Sequence, residues 1–183
     1  MSCLTALSGE QCSASFFDAP PLVLLLQETH FLGTSCSFLG HYGYTLVYHA
    51  GFARGSHGVA LLIHPSLPFQ PLGSVSDVQG RYVALWGTLE GCVLTFVSVY
   101  VSPQLNASML WDISTVDLVL PTGTMIIGWD FNTVLDLVLD ASRTTPRSDK
   151  QVTPHLQSWL SPLGLYDVWL TWHLDLWQFT HTS

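Results

Sequence analysis

Positively charged residues are scarce in this chain of 183 residues. Five Lys and Arg stand against thirteen Asp and Glu, so the formal net charge is −8. Tight nonspecific binding to nucleic acid depends on neutralising phosphates with Lys and Arg. The composition therefore disfavours such binding, although it leaves room for a metal-bridged contact to a single phosphate.

The sequence also lacks long apolar runs and a basic segment near its start. No uninterrupted apolar run approaches the roughly 20 residues that a membrane-spanning helix needs. No Lys or Arg precedes the first apolar residues, as one would in a signal peptide. The four cysteines lack the CxxC spacing of a zinc site, which favours reduced thiols. We therefore expect no membrane association, and a nuclear or cytoplasmic protein that is not secreted.

Apolar residues dominate what is present. They make up 48% of the chain, and the mean hydropathy of +0.36 is typical of a packed globule. Continuous apolar or β-branched runs predict strands and one hairpin. The strands are expected at residues 22–26, 44–49, 58–64 and 124–128, and the hairpin joins 78–86 to 93–101 around Leu89, Glu90 and Gly91.

The remaining segments separate into helices, loop and leader. Apolar residues at helical spacing predict a helix over 105–118, and a second helix is indicated over 152–160, with Pro154 near its start. Residues 141–153 are polar and indicate an exposed loop, whereas residues 1–21 lack periodicity and indicate a poorly ordered leader. Strands with interspersed helices and no internal linker predict one α/β (α+β) layered domain over residues 22–183.

Polar side chains of one chemical kind follow three of the predicted strands. Glu28 follows the first strand, Tyr100 ends the hairpin, and Asp130 and Asn132 follow the last strand. Because residues two apart in an extended segment face the same side, Asp130 and Asn132 can share a cleft. Glu28 and Asp130 would offer Mg²⁺ a hard-oxygen site. Tyr100 and Asn132 would contact a phosphate, or Asn132 would hold an attacking water that a carboxylate deprotonates.

Each of these residues also has a purely structural interpretation. A carboxylate after a buried strand, as at Glu28, is commonly a solvated turn residue. Asp130 and Asn132 fit an Asx turn, and Tyr100 fits an ordinary packing tyrosine. Taken one at a time, the residues leave this choice open.

The ordered set of segments resembles a known family. From residue 22 to residue 183 the motifs run LLLQETHF, GVALLI, QGRYVALWGTLEG, VSVYVSP, IIGWDFNTVLD, LGLYDVW and QFT. This set is similar to the endonuclease domain of LINE-type non-LTR retrotransposons, in the endonuclease/exonuclease/phosphatase superfamily that includes exonuclease III. The resemblance implies a four-layered α/β sandwich with two central mixed β-sheets, like that of deoxyribonuclease I. It also implies Mg²⁺-dependent hydrolysis of DNA phosphodiesters.

The resemblance implies a role for each matching residue. Glu28 of QETH would be the metal ligand, for Mg²⁺ or alternatively Mn²⁺, and Tyr100 of SVYVSP would contact the phosphate. Asp130 and Asn132 match the carboxylate and amide of the family's GGDFN motif, which position the water and the phosphate. Arg143 follows in a loop where it would touch DNA, or would be an ordinary solvated loop charge.

The sequence also departs from the family pattern. Residues 1–21 contain no Asn, where the family has one beside the metal, and the sequence stops before the family's C-terminal Asp and His. We therefore expect an incomplete domain, truncated at both ends. Trp129 stands where the family has a glycine, and it either crowds the cleft or faces the core.

These observations lead to two functions of different classes. The first is Mg²⁺-dependent hydrolysis of DNA, with a DNA contact weakened by the net charge of −8. The alternative is a catalytically inactive remnant or interaction module, which the absent Asn, Asp and His favour. A phosphoesterase for lipids or small phosphates is a third expectation from the same superfamily.

Overall fold

The described part of the protein consists mainly of β-strands. The computed structural model describes residues 2–4, 21–30, 43–44, 46–51, 58–101, 120–130, 154, 157–158 and 160–168. The strands within this part are β1 (Ser2–Leu4), β2 (Val23–Gln27), β3 (Leu46–Gly51), β4 (Gly58–Ile63), β5 (Gln70–Ser76), β6 (Tyr82–Leu89), β7 (Cys92–Tyr100), β8 (Thr124–Asp130) and β9 (Leu165–Asp167). A 3₁₀ helix spans Ser161–Leu163. No helix within these residues is long and apolar enough to cross a membrane.

The strands form two sheets, as the sequence predicts. The large sheet has the order β5-β6-β7-β8-β1-β9, antiparallel from β5 to β7 and parallel from β7 to β9. The small sheet has the antiparallel order β2-β4-β3. Because β7 and β8 are parallel, their carboxyl ends meet at one edge of the large sheet.

The two sheets pack face to face around a shared apolar core. The small sheet contributes Leu25, Val59, Leu61 and Ile63, and the large sheet contributes Val83, Leu85, Phe96 and Tyr100. A second cluster covers the other face of the large sheet and contains Ala84, Val97, Val99, Val101, Ile127, Trp129 and Leu160. Both faces of the large sheet are therefore buried along its centre.

Strand β4 is buried on both faces, which explains its continuously apolar sequence. Val59, Leu61 and Ile63 face the core between the sheets, whereas Ala60 and Leu62 belong to a cluster on the outer face of the small sheet. All five are at most 1% exposed. A strand buried on both faces has no polar positions to alternate with, so it reads as an unbroken apolar run.

The prediction for the N-terminus needs a correction. Ser2–Leu4 forms β1, which pairs in parallel with β8 on one side and with β9 on the other. Three residues are too few to show a periodicity, and pairing on both sides stabilises so short a strand. Residues 5–20 lie outside the described part, so the domain boundary at residue 22 stays a prediction.

Strand β5 and the start of β6 also differ from the sequence prediction. The segment QPLGSVS of β5 was not predicted, because it is an exposed edge strand that contains Pro71 and Gly73. A Cβ at Gly73 would lie 2.4 Å from the Trp86 ring, so only glycine fits there without movement. The predicted strand from residue 78 begins instead at Tyr82, because Gly80 N–H donates to the Asp77 carbonyl in a turn.

The predicted hairpin between β6 and β7 is confirmed. Leu89 pairs with Cys92, which leaves Glu90 and Gly91 as a two-residue loop. Both have positive φ, 50° at Glu90 and 81° at Gly91, as a type I′ turn requires. The predicted helix 105–118 and loop 141–153 lie outside the described residues. The described positions 154, 157, 158 and 160 of the second predicted helix are helical.

Candidate active site

Gln27 joins the two sheets directly beneath the predicted site. Its buried side-chain amide donates to Ser98 Oγ at 3.0 Å in β7 and to the Gly128 carbonyl at 3.2 Å in β8. The Ser98 hydroxyl in turn donates to the Leu26 carbonyl at 3.0 Å. A buried amide is tolerated when its N–H groups find acceptors. We call Gln27, Ser98 and Gly128 the inter-sheet clasp, which holds the end of β2 against the ends of β7 and β8.

Three predicted site residues follow the clasp residues closely along their strands. Glu28 follows Gln27 at the end of β2, and the register pairs Tyr100 of β7 with Asp130 of β8. Tyr100 and Asp130 are each two residues beyond the clasp residue of their own strand. Because side chains two apart share a face, both point to the side of the large sheet that faces β2. The fold thus brings Glu28, Tyr100 and Asp130 together.

The backbone turns sharply at Glu28. Its φ of 51° lies in the left-handed region, as does that of His30 at 50°. This conformation costs a non-glycine residue about 1–2 kcal/mol. The Thr29 N–H donates to the Gly58 carbonyl at 3.1 Å and holds the turn against β4. Strained backbone of this kind clusters at functional sites, which supports a functional interpretation of Glu28.

Tyr100 makes the direct contact between the sheets at the site. Its side chain is 5% exposed and its hydroxyl hydrogen-bonds the Glu28 carboxylate. Burial, that hydrogen bond, and the negative charges of Glu28 and then Asp130 raise the pKa of Tyr100 well above its ordinary range. The phenol is therefore neutral at physiological pH and acts as a hydrogen-bond donor. Both carboxylates are therefore close enough to the phenol to influence its pKa.

Asp130 and Trp129 occupy opposite faces of β8. Asp130 is partly exposed at the strand end, and its carbonyl accepts the Val101 N–H at 3.1 Å. Trp129 is 2% exposed and packs with Val99 and Ile127 on the far face of the large sheet. Of the two interpretations that the sequence allows, Trp129 therefore takes the core one. Its indole does not crowd the cleft.

A buried ion pair, formed by Asp77 and Arg81, lies next to the backbone of Tyr100. Arg81 Nε donates to Asp77 Oδ2 at 2.6 Å and Arg81 Nη2 donates to Asp77 Oδ1 at 3.2 Å. The Arg81 carbonyl accepts the Tyr100 N–H at 2.7 Å. Burial raises the pKa of the Asp77 carboxyl, but hydrogen bonds from Arg81 and its positive charge outweigh that effect and lower the pKa overall. The pair thus stays ionised and anchors the backbone of Tyr100.

The sequence did not identify Gln27, Ser98, Asp77 or Arg81 as functional. A signal exists for two of them, because a polar residue within an apolar strand must find a buried partner. Gln27 ends the run LLLQ and Ser98 interrupts FVSVY. No comparable signal marks the turn that holds Asp77 and Arg81. Asn132 and Arg143 lie outside the described residues, so their roles stay predictions.

The oxygen donors of the site fit a divalent cation of the Mg²⁺ type. Among the described residues, no group of three or more His, Cys, Asp and Glu is arranged to hold a metal ion. Glu28 and Asp130 supply two carboxylates, and Mg²⁺ commonly takes one or two and fills its shell with water and substrate phosphate. The residues present thus fit a cation that is shared with a phosphate.

The sequence matches one protein-family model over most of its length. A model of the endonuclease/exonuclease/phosphatase family matches residues 10–183, which is nearly the whole chain. The match includes every predicted site residue and both sheets except β1.

Solved structures with a similar fold include three nuclease or catalytic domains. The endonuclease domain of TRAS1, a telomere-specific non-LTR retrotransposon, is 16% identical with a TM-score of 0.51, over 76% of this chain and 58% of that chain. The human Nocturnin catalytic domain with bound sulfate is 18% identical with a TM-score of 0.53, over 85% and 62%. The 3′-5′ exonuclease NExo from Neisseria meningitidis is 19% identical with a TM-score of 0.54, over 79% and 63%.

These likenesses concern the fold. At identities of 16–19% they confirm two packed sheets of the deoxyribonuclease I type. The chain spans about three fifths of the length of these structures, since it covers 58–63% of them.

Proposed function

The chain belongs to the endonuclease/exonuclease/phosphatase family, and on that premise we propose that it hydrolyses phosphodiester bonds of DNA with the help of Mg²⁺. The observation that carries this proposal is the convergence of Glu28, Tyr100 and Asp130 at the strand ends, where the register pairs Tyr100 with Asp130 and Glu28 follows the clasp residue Gln27. Two carboxylates and a neutral phenol from three strands form a site for a phosphate and a cation.

Each side chain has a distinct part in the proposed reaction. Asp130 accepts a proton from a water molecule, whose oxygen forms the new bond to phosphorus. The bond from phosphorus to the leaving nucleotide oxygen breaks, and that oxygen takes a proton from solvent. The Tyr100 hydroxyl donates a hydrogen bond to a phosphate oxygen and keeps the phosphate in place. Asn132 orients the phosphate or the water, and Arg143 contacts the DNA, as the sequence predicts for both.

Glu28 and Asp130 would hold the divalent cation. When bound, a cation such as Mg²⁺ or Mn²⁺ neutralises negative charge on the phosphate. Glu28 has a second task in the free protein, because its carboxylate accepts the Tyr100 hydrogen bond and orients the phenol.

The choice of DNA as substrate draws on the motifs and on proteins of similar fold. The ordered motifs resemble retrotransposon endonucleases, and the TRAS1 domain of that class has a similar fold. NExo has been solved bound to a product DNA hairpin, with a TM-score of 0.54 to this chain. Lipid and small-phosphate substrates are tested beside DNA in the same assay.

A plasmid-nicking assay tests the proposal. Supercoiled plasmid is incubated with the wild type, Asp130→Asn or Glu28→Gln in the presence of Mg²⁺, Mn²⁺ or EDTA. We expect cation-dependent nicking by the wild type and a fall of about 10²–10⁴-fold in either variant, because each removes a carboxylate that touches water, phosphate or cation.

Glu90→Gln is the matched control. It removes the charge of an exposed carboxylate in the β6–β7 turn, outside the site, and should nick like the wild type. Equal nicking by the wild type and Asp130→Asn would reveal a contaminating nuclease and overturn the proposal. No nicking by any of the proteins would also overturn it.

The second candidate is a catalytically inactive domain. Its specific support is the net charge of −8 together with the absence of Asn from residues 1–21. This candidate predicts no cleavage and no stabilisation by Mg²⁺. A thermal shift of several degrees on adding Mg²⁺ that is lost in Glu28→Gln would contradict it.

A further inference from the structure

The inter-sheet clasp lies immediately below the candidate site, and the proposed function does not use it. Gln27 is 5% exposed and Ser98 is fully buried. Burying an amide and a hydroxyl between two apolar faces is unfavourable unless both are hydrogen-bonded. Replacing both hydrogen-bonding partners by apolar side chains of similar shape can be nearly neutral for stability. The clasp therefore contributes something besides adhesion.

The clasp is directional in a way that apolar packing is not. One N–H group of Gln27 is aimed at Ser98 Oγ and the other at the Gly128 carbonyl, so the amide is held on two strands at once. The Ser98 hydroxyl returns to the Leu26 carbonyl and closes the link on β2. These bonds define the height and sideways position of the β2 end over β7 and β8.

The position of the clasp determines which distances it controls. Glu28 is bonded directly to Gln27, whereas Tyr100 and Asp130 lie two residues beyond Ser98 and Gly128, about 7 Å along each strand. Among the described site residues, Glu28 follows the small sheet, whereas Tyr100 and Asp130 belong to the large sheet. Any shift between the sheets therefore changes the separation of Glu28 from Tyr100 and Asp130.

Gly128 supplies the backbone acceptor of this link on β8. Its pleat position faces β2, as do those of Ile126 and Asp130. Its carbonyl accepts the Gln27 amide hydrogen bond at 3.2 Å.

We propose that Gln27, held by Ser98 and Gly128, is a positioning residue that sets the separation between Glu28 on one sheet and Tyr100 and Asp130 on the other. The claim on cation binding rests on the proposed function, but the claim on position does not. Partners behind metal ligands typically change cation affinity by 10–100-fold when they are removed.

Two measurements on the whole chain test this role. The first is the Mn²⁺ affinity of Gln27→Met and Ser98→Ala, by calorimetry at a temperature where all variants are folded. We expect the Kd for Mn²⁺ to rise by about 10-fold in each, and by no more in the double variant than in Gln27→Met alone. Thr95→Val is the matched control, since Thr95 is a buried β7 residue whose hydroxyl has no partner in the described structure. It should leave the Kd unchanged.

The second measurement needs no cation. The Thr29 N–H donates to the Gly58 carbonyl next to Glu28, and its hydrogen exchange reports whether that turn keeps its place. In Gln27→Met we expect the Thr29 amide to exchange at least about 10-fold faster, because local opening can occur without global unfolding. Amides of the β6–β7 hairpin should keep their wild-type rates, which a merely structural role would not predict.

The outcomes separate the two claims. A wild type that binds no Mn²⁺ overturns the proposed function, while the Thr29 exchange rate still decides the role of Gln27. Unchanged Thr29 exchange in Gln27→Met, or equal acceleration of the hairpin amides, overturns the positioning role whether or not Mn²⁺ binds. An unchanged Kd in Gln27→Met, with Mn²⁺ bound by the wild type, also overturns it.

Discussion

Trp129 and Asp130 are neighbours in sequence that serve different parts of the molecule. The indole is among the largest fully buried side chains and packs behind the large sheet, whereas the carboxylate faces the site. The tryptophan in the place of a family glycine is thus a change of the core. It is not by itself evidence that the site is lost.

Restoring the glycine should therefore weaken the fold and leave the cleft as it is. We expect Trp129→Gly to lower the free energy of unfolding by at least about 3–5 kcal/mol, since it leaves a cavity the size of an indole. Trp129→Phe should cost less because it keeps part of the volume. Urea denaturation measures both, and unchanged stability in Trp129→Gly would contradict the core position.

The sequence could predict which residues meet, but not how each one is turned. Glu28, Tyr100 and Asp130 end apolar strands, and the resemblance of the ordered motifs implies that these strand ends meet in one site. The sequence could not predict which face of β8 the Trp129 side chain occupies. Apolar residues cover both faces of this strand, so hydropathy does not distinguish them. The left-handed backbone at Glu28 was also beyond prediction, since tertiary contacts such as that of Thr29 with Gly58 impose it.

At the scale of elements, the turn between β5 and β6 supports the site at a distance. Asp77 accepts hydrogen bonds from the Arg81 backbone at 3.2 Å and from its guanidinium, and the Arg81 carbonyl then binds the Tyr100 amide. Both side chains of the ion pair are about nine-tenths buried. The turn is therefore a rigid connection between β6 and the end of β7.

This ion pair predicts how stability depends on acid pH. The pKa of Asp77 is lowered in the folded protein from the ordinary value of 3.8, so the stabilisation is present above that value and is lost as pH falls through the folded pKa. Asp77→Asn should cost about 3 kcal/mol at pH 7, because it removes the negative charge that faces the buried Arg81 guanidinium.

Urea denaturation between pH 7 and pH 2 measures this effect. The difference in unfolding free energy between the wild type and Asp77→Asn should shrink as pH falls below 3.8. Glu90→Gln, which alters an exposed carboxylate, serves as the control and should follow the wild type. A difference that stays constant over the whole range would argue against an ionised Asp77.

Some strands have a strong hydropathy pattern in the sequence, and others have none. Buried strands such as β4 and β7 were predictable because apolar runs bounded by Gly and Pro leave few other choices. Strand β5 is polar and exposed, and β1 has three residues, so neither carries a pattern. Their places depend on the edges that β6, β8 and β9 offer for pairing.

At the scale of the whole molecule, charge limits how DNA can be bound. The chain has five Lys and Arg, and Arg81 is taken up by Asp77. The net charge of −8 opposes a phosphate backbone over the rest of the surface. Affinity for DNA should thus depend on the cation at Glu28 and Asp130 more than on a basic surface.

The salt dependence of DNA binding tests this expectation. With four basic residues left, the slope of log K against log salt should be no steeper than about −3.6, from about 0.9 for each neutralised phosphate. Fluorescence anisotropy with a duplex, measured in Ca²⁺ to limit cleavage, gives the slope. A steeper slope would require a basic surface that the composition lacks, and binding that persists in EDTA would contradict the role of the cation.

The architecture was predictable through the resemblance more than through the patterns. Strands and helices alone indicate a layered domain, whereas the order of the motifs implies two packed sheets, which the structure confirms. The position of β1 between β8 and β9 could not be deduced from the sequence. It pairs the first residues of the sequence with two strands that follow much later. The nuclear or cytoplasmic location stays a prediction.

The clasp also has a consequence for the order of events during synthesis. Its two hydrogen bonds from Gln27 span 71 and 101 residues of sequence, so they form after long loops have closed. Glu28 leaves the ribosome long before Tyr100 and Asp130. A nascent chain with one sheet formed has no complete site, and neither does a half-folded intermediate. Any cleavage activity would thus begin only when the two sheets dock.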